Sequence, residues 1–144
     1  MSLPAAIRLV KSLSKAEKRQ FQLYCKKHSG DKNYLELFQF IDNTQPASKE
    51  NIEEKFSSWK GSRSLDNTSR YLARLITDCL IQSKIKDDDY FSVMHGLLRI
   101  RVLKERNLGD EAYKEIIKLK RSSGVEREQV LHYAVNRQKW WTFK

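Results

Sequence analysis

Glycine is scarce in this chain, five residues in 144, and with only two prolines, two cysteines and three histidines several architectures lack their raw material. A sheet protein with many tight turns draws heavily on Gly and Pro, so the shortage points away from β structure and towards helices. No glycine-rich phosphate loop can be assembled, which removes the usual nucleotide-binding signatures. Two cysteines are too few for the disulfide framework of a small secreted domain, and a reducing compartment, the cytoplasm, is expected. No apolar run is long enough to span a bilayer, and the first eleven residues carry no basic segment followed by a long apolar stretch, so no membrane association is expected.

Metal and catalytic chemistry are equally short of residues. Cys25 and His28 lie three apart, the half-site of a metal finger, but no second Cys/His pair follows; Cys79, His95 and His132 are scattered. As a nucleophile Cys25 lacks an orienting third group, and its apolar neighbours raise a thiol pKa rather than lower it. The run Asp87, Asp88, Asp89 has neither the alternation nor the terminal Glu of a calcium loop. The sequence therefore reads as non-enzymatic, with no cofactor.

What is present is charge and helical periodicity. Lys and Arg number 28 against 18 Asp and Glu, a net charge of +10, which makes nucleic acid or another acidic surface a partner to consider. Residues 1–30 hold seven basic residues and one acid, 31–90 hold nine and eleven, and 91–144 hold twelve and six.

Apolar residues recur at helical spacing almost throughout, and an all-α fold is predicted: antiparallel helical hairpins stacked as a bundle or as a short superhelix of tetratricopeptide type. Pro4 suits a first helical turn, with Ile7 and Val10 following. Ser14 and Glu17 have the spacing of a capping box ahead of Phe21, Tyr24 and Cys25, and Ser29 with Gly30 supplies a stop. Asp31 is the expected cap for Tyr34, Leu37, Phe38 and Ile41. Ser48 is the expected cap for Ile52, Phe56 and Trp59, and Asp66 or Asn67 for the longest stripe, from Tyr71 to Ile85. The acidic triplet should open the next helix, with Phe91, Met94, Leu98 and Val102 as its packing face. Asn107 to Asp110 reads as a tight turn, and Ala112, Tyr113, Ile116 and Ile117 as the following helix. Leu103, Ala112 and Ile116 fall at packing positions of a tetratricopeptide-like hairpin. A final helix is predicted from Val125, with Leu131, Ala134, Val135 and Trp141 on one face. The whole chain, 1–144, reads as one helical domain with a subdivision into 1–88 and 89–144.

Two interaction surfaces are suggested. Trp140, Trp141 and Phe143 need a cover, and a protein partner or a second copy of the chain would provide one. Alternatively, the segments Leu37–Ile41, Ser48–Phe56 and Asn67–Leu80 match the helices of a winged helix-turn-helix, a DNA-binding module spanning residues 48–75. Asn67, Thr68, Ser69, Arg70 and Arg74 would then be exposed at the end that reads base edges, and Lys60 and Arg63 would hold phosphate. The length of the third helix and the acidic triplet after it oppose that alternative.

The stretches SLSKAEKRQFQLY (12–24), GDKNYLELF (30–38) and NTSRYLARL (67–75) resemble the opening of a family of uncharacterised bacterial helical-repeat proteins. The resemblance covers most of the chain and implies further tetratricopeptide-like hairpins, no enzymatic activity and no catalytic residue. It points to a scaffold for protein–protein interaction, presenting a groove to a peptide or helix. The chain stops at Lys144 in mid-pattern, as a fragment or a short member would.

Overall fold

A computed structural model describes residues 1–28, 30–122 and 132. The fold is all-α. Among the described residues there are seven α-helices and no strand: α1 (Leu3–Ser12), α2 (Lys15–Lys26), α3 (Asn33–Asn43), α4 (Lys49–Lys55), α5 (Leu65–Asp87), α6 (Asp89–Glu105) and α7 (Gly109–Arg121), with a single 3₁₀ turn at Gly61–Arg63. The chain divides into two compact units, Met1–Ile81 and Gln82–Lys144, and the division falls within α5, ahead of the acidic triplet.

In the first unit the helix starts are fixed by short-range chemistry. The Glu17 amide donates to Ser14 Oγ at 3.1 Å and the Ser14 amide donates to Glu17 Oε2 at 2.7 Å, so two orphan donors of α2 are satisfied reciprocally. Ser48 Oγ accepts from the Asn51 amide at the start of α4. Two expected caps are not used. Lys32, not Asp31, precedes α3 and its ammonium offers no acceptor for a cap, while the Asp31 carboxylate pairs with Arg63 Nε at 2.9 Å. Helix α5 begins at Leu65, before Asp66, and Ser64 Oγ accepts from the Asn67 amide at its start.

Helix α3 is the centre of this unit. Tyr34, Leu37, Phe38 and Ile41 are all buried, the i, i+3, i+4, i+7 stripe that the sequence shows. Phe38 meets Phe21 of α2 with ring centroids 5.0 Å apart, Phe40 meets Phe56 at the end of α4 at 5.4 Å, and Tyr34 meets Tyr71 of α5 at 5.3 Å. From α1, Lys11 Nζ donates to the carbonyls of Asp42 and Thr44 at 3.2 and 2.9 Å, occupying acceptors that the end of α3 leaves open. Trp59, expected in the core, is half-buried and stacks on Phe56 at 4.3 Å.

The described part of the second unit is one helical hairpin. Asp88 Oδ1 accepts from the amides of Tyr90 and Phe91 at 3.0 and 3.3 Å, so the acidic triplet does open α6. At its far end Asn107 has φ +59°, and the Asn107 and Leu108 amides donate to the carbonyls of Lys104 and Leu103. That is a Schellman closure with Asn in the left-handed position. It turns the chain so sharply that α7 starts at once. Arg99 pairs with Glu115 at 3.7 Å, and Gly96 faces Leu119, so numbering rises on α6 as it falls on α7 and the two run antiparallel.

The packing face of α6 is not the predicted one. Val93, Leu97 and Ile100 are buried with Ala112, and Leu103, Ile116 and Leu119 pack against them, whereas Phe91, Met94, Leu98 and Val102 face outward. Gly96 lies on the packed side. A Cβ placed there would lie 2.8 Å from Leu119 Cδ1, so Leu119 fills the space that the missing side chain leaves. Replacing Gly96 by Leu should therefore destabilise the hairpin by about 1–3 kcal/mol through overpacking. Gly96→Ala, which Leu119 can accommodate by a small shift while helix propensity improves, should stay within about 1 kcal/mol of the parent. Urea denaturation followed by circular dichroism checks both.

Candidate interaction surface

The outward face of α6 is built by spacing alone. Phe91, Met94, Leu98 and Val102 fall at i, i+3, i+7 and i+11, one side of a helix with 3.6 residues per turn, and form a strip about 17 Å long. Their exposures are 46, 42, 59 and 47%. Single exposed apolar residues are ordinary, but four aligned on one helix, opposite a face that is already packed, make a contiguous apolar patch of the kind that marks an interaction site. Tyr90 extends it at one end, edge-on to Phe91 with centroids 5.3 Å apart. Charged neighbours are tied up locally: Arg101 Nε pairs with Glu105 at 3.0 Å, and Arg99 with Glu115.

The residues of the DNA-binding alternative do not form a free basic face. Thr68 and Ser69, expected at the surface, are 7 and 0% exposed, inside the wide buried arc with which α5 meets its neighbours. Arg63 pairs with Asp31, and Arg70 Nη2 with Asp66 at 3.0 Å. Asn67 Nδ2 donates to the Gly61 carbonyl at 3.2 Å, and the Arg74 guanidinium lies 5.1 Å from the centre of the Tyr71 ring. Lys60 is exposed. Trp140, Trp141 and Phe143, the aromatic candidates for partner binding, lie outside the described residues.

The thiols are sequestered. Cys25 and Cys79 are both free and buried, and burial pushes Cys25 up to about 11. Beside it the Tyr34 hydroxyl has no hydrogen-bond partner of good geometry, and burial together with the neighbouring thiol pushes it up to about 12. His28 lies against Tyr24 with the rings tilted and their centroids 4.6 Å apart. Among the described residues no three His, Cys, Asp or Glu side chains come together as a metal site. On α7 an open groove of about 470 Å³ is lined by Lys114, Ile117, Lys118, Arg121 and Ser122, with Lys114 Nζ bonded to Glu111 at 2.7 Å. It gathers positive charge and some apolar surface. No helix among the described residues is long and apolar enough to cross a membrane.

The comparisons add no relative: no family model, no curated protein and no solved structure matches the chain.

The raised thiol and phenol have a pH consequence. Above about pH 9 the unfolded chain releases the Cys25 proton that the native chain keeps, so stability is full below that pH and falls until about pH 11, where the native thiol also ionises. The unfolding free energy should be level between about pH 7 and 8.5 and decline above about pH 9, less steeply in Cys25→Ala. Iodoacetamide at about pH 8 should modify neither cysteine in the native chain and both in denaturant. Rapid native alkylation of Cys25 would contradict this account of the core.

Proposed function

We propose that this chain is a non-enzymatic helical scaffold for protein–protein interaction, and that the outward face of α6 is where an amphipathic helix of a partner docks. The observation that carries the reading is the strip Phe91, Met94, Leu98, Val102, exposed while the opposite side of the same helix is packed. A partner helix offers anchors at i, i+3, i+4 and i+7, and a strip about 17 Å long accommodates about three of its turns. The resemblance to bacterial helical-repeat proteins, and the tetratricopeptide-like placement of Leu103, Ala112 and Ile116 inside the hairpin, support the same reading. Two buried free thiols suit a bacterial cytoplasm. Self-association through Trp140, Trp141 and Phe143 is a further form that partner binding would take. The DNA-binding alternative at residues 48–75 has less support, since Thr68 is withdrawn and Arg63 and Arg70 are neutralised by neighbours.

Introducing Met94→Glu with Leu98→Glu places two charges on the strip without touching the packed face, so helicity should be kept. Fluorescence of a hydrophobic dye such as anilinonaphthalene sulfonate, bound by the parent chain, should fall by more than half. A photo-cross-linker at Leu98 should give discrete protein adducts that the same group at Lys84 does not. Equal dye binding by both chains, or identical adducts at the two positions, would refute the assignment.

A further inference from the structure

The ion-pair pattern leaves one helix with an unbalanced face. Along α2 the core is met by Phe21 and Cys25, and Glu17, its one acid, is committed to the capping box. Around the opposite side Lys15, Ala16, Arg19, Gln22, Leu23, Lys26 and the adjoining Lys27 are all exposed, and no carboxylate is among them. Several other cations of the first unit have a carboxylate beside them: Lys18 has Asp42, Lys49 has Glu53, Arg63 has Asp31 and Arg70 has Asp66. Lys11 is occupied by backbone carbonyls. Four of the seven cations of residues 1–30, Lys15, Arg19, Lys26 and Lys27, thus lie on one side of α2 and its C-cap, and none of them forms an ion pair among the described residues.

We propose that the outward face of α2, through Lys15, Arg19, Lys26 and Lys27, binds the phosphate backbone of a nucleic acid. This goes beyond the scaffold reading and stands without it. From Lys15 to Lys26 the helix rises about 17 Å, which along one strand of a duplex spans about five phosphates at 3.4 Å each. Lys15 and Arg19 are one turn apart, about 6 Å, and Arg19 and Lys26 two turns, about 10 Å, while Lys27 flanks Lys26, so the cations reach different phosphates. An anionic membrane is the poorer fit: its helices bury a broad apolar face, and this one offers only Ala16 and Leu23. Nothing on the face is suited to distinguishing base edges apart from Gln22, so recognition is of backbone rather than of sequence.

The test is fluorescence-anisotropy titration of a duplex of about 20 base pairs with the full chain. Four phosphates neutralised predict a slope near −3.6 in log affinity against log salt, so raising salt from about 50 to about 150 mM should weaken binding about fifty-fold. Lys15→Gln, Arg19→Gln, Lys26→Gln and Lys27→Gln together should remove most of that slope and weaken low-salt binding at least tenfold, with circular dichroism unchanged. A control of equal charge, Lys55→Gln, Lys84→Gln, Lys86→Gln and Lys104→Gln, should stay within about threefold of the parent. The proposal is overturned if the control loses as much as the α2 variant, if the parent does not bind at about 50 mM salt, or if vesicles of phosphatidylserine and phosphatidylcholine are bound more tightly than the duplex. Should the α2 variant fail to fold, the four single substitutions carry the test, each expected to lower the slope by about 0.9.

Discussion

The approach of α7 to α6 over Gly96 is the contact on which the reading of the second unit depends. A helix rich in apolar residues on two sides can present either to a neighbour, and α6 is such a helix. The packing on the side carrying Gly96 is steric in kind: Leu119 fills the space beside Gly96, and further along the hairpin the small Ala112 is buried with Val93, Leu97 and Ile100. Once that side is taken, the bulkier set formed by Phe91, Met94, Leu98 and Val102 has to face outward. The exposed strip is therefore a consequence of good packing elsewhere.

Helix α3 plays the corresponding part in the first unit, by a different device. It is touched by ring contacts from α2, from the end of α4 and from α5, and by the Lys11 ammonium from α1. Because those neighbours converge on one central stripe, their outward sides are left free to carry charge. The face of α2 shows the result most clearly: Phe21 and Cys25 face inward, and Lys15, Arg19 and Lys26 are exposed on the other side beside Ala16, Gln22 and Leu23. Burial of Cys25 and Tyr34 beside one another at this centre keeps both groups protonated and chemically quiet.

How much of this was legible depended on the range of the interaction concerned. Caps written in three or four consecutive residues were readable: Ser14 with Glu17, Ser48, and Asp88 within the acidic triplet. So was the α3 stripe, since no competing set of apolar residues lies on that helix. Asp31 was misassigned because its partner, Arg63, is remote in sequence, and no local pattern announces the pair. A recognition-helix pattern over 48–75 places Thr68 at the surface, whereas α5 buries it. The width of the α5 stripe, already visible in the sequence, was the sign that its first turns had neighbours to meet. On α6 two apolar sets share helical spacing and hydropathy does not separate them; the one usable signal was a lone glycine inside a helical run, lying beside Val93, Leu97 and Ile100. Partner identity left no trace at this level, because an apolar strip and a basic helix face specify a kind of contact and not a name.

The central claim, that α6 turns Phe91, Met94, Leu98 and Val102 to solvent and Val93, Leu97 and Ile100 inward, is tested most directly by hydroxyl-radical footprinting of the full chain read out by mass spectrometry. The account predicts that Phe91, Met94 and Leu98 are oxidised at the rates of exposed side chains while Leu97 and Ile100 remain protected until the chain is denatured. Protection of the first set with labelling of the second would mean that the helix is rotated by half a turn, and the proposed interaction surface would be contradicted.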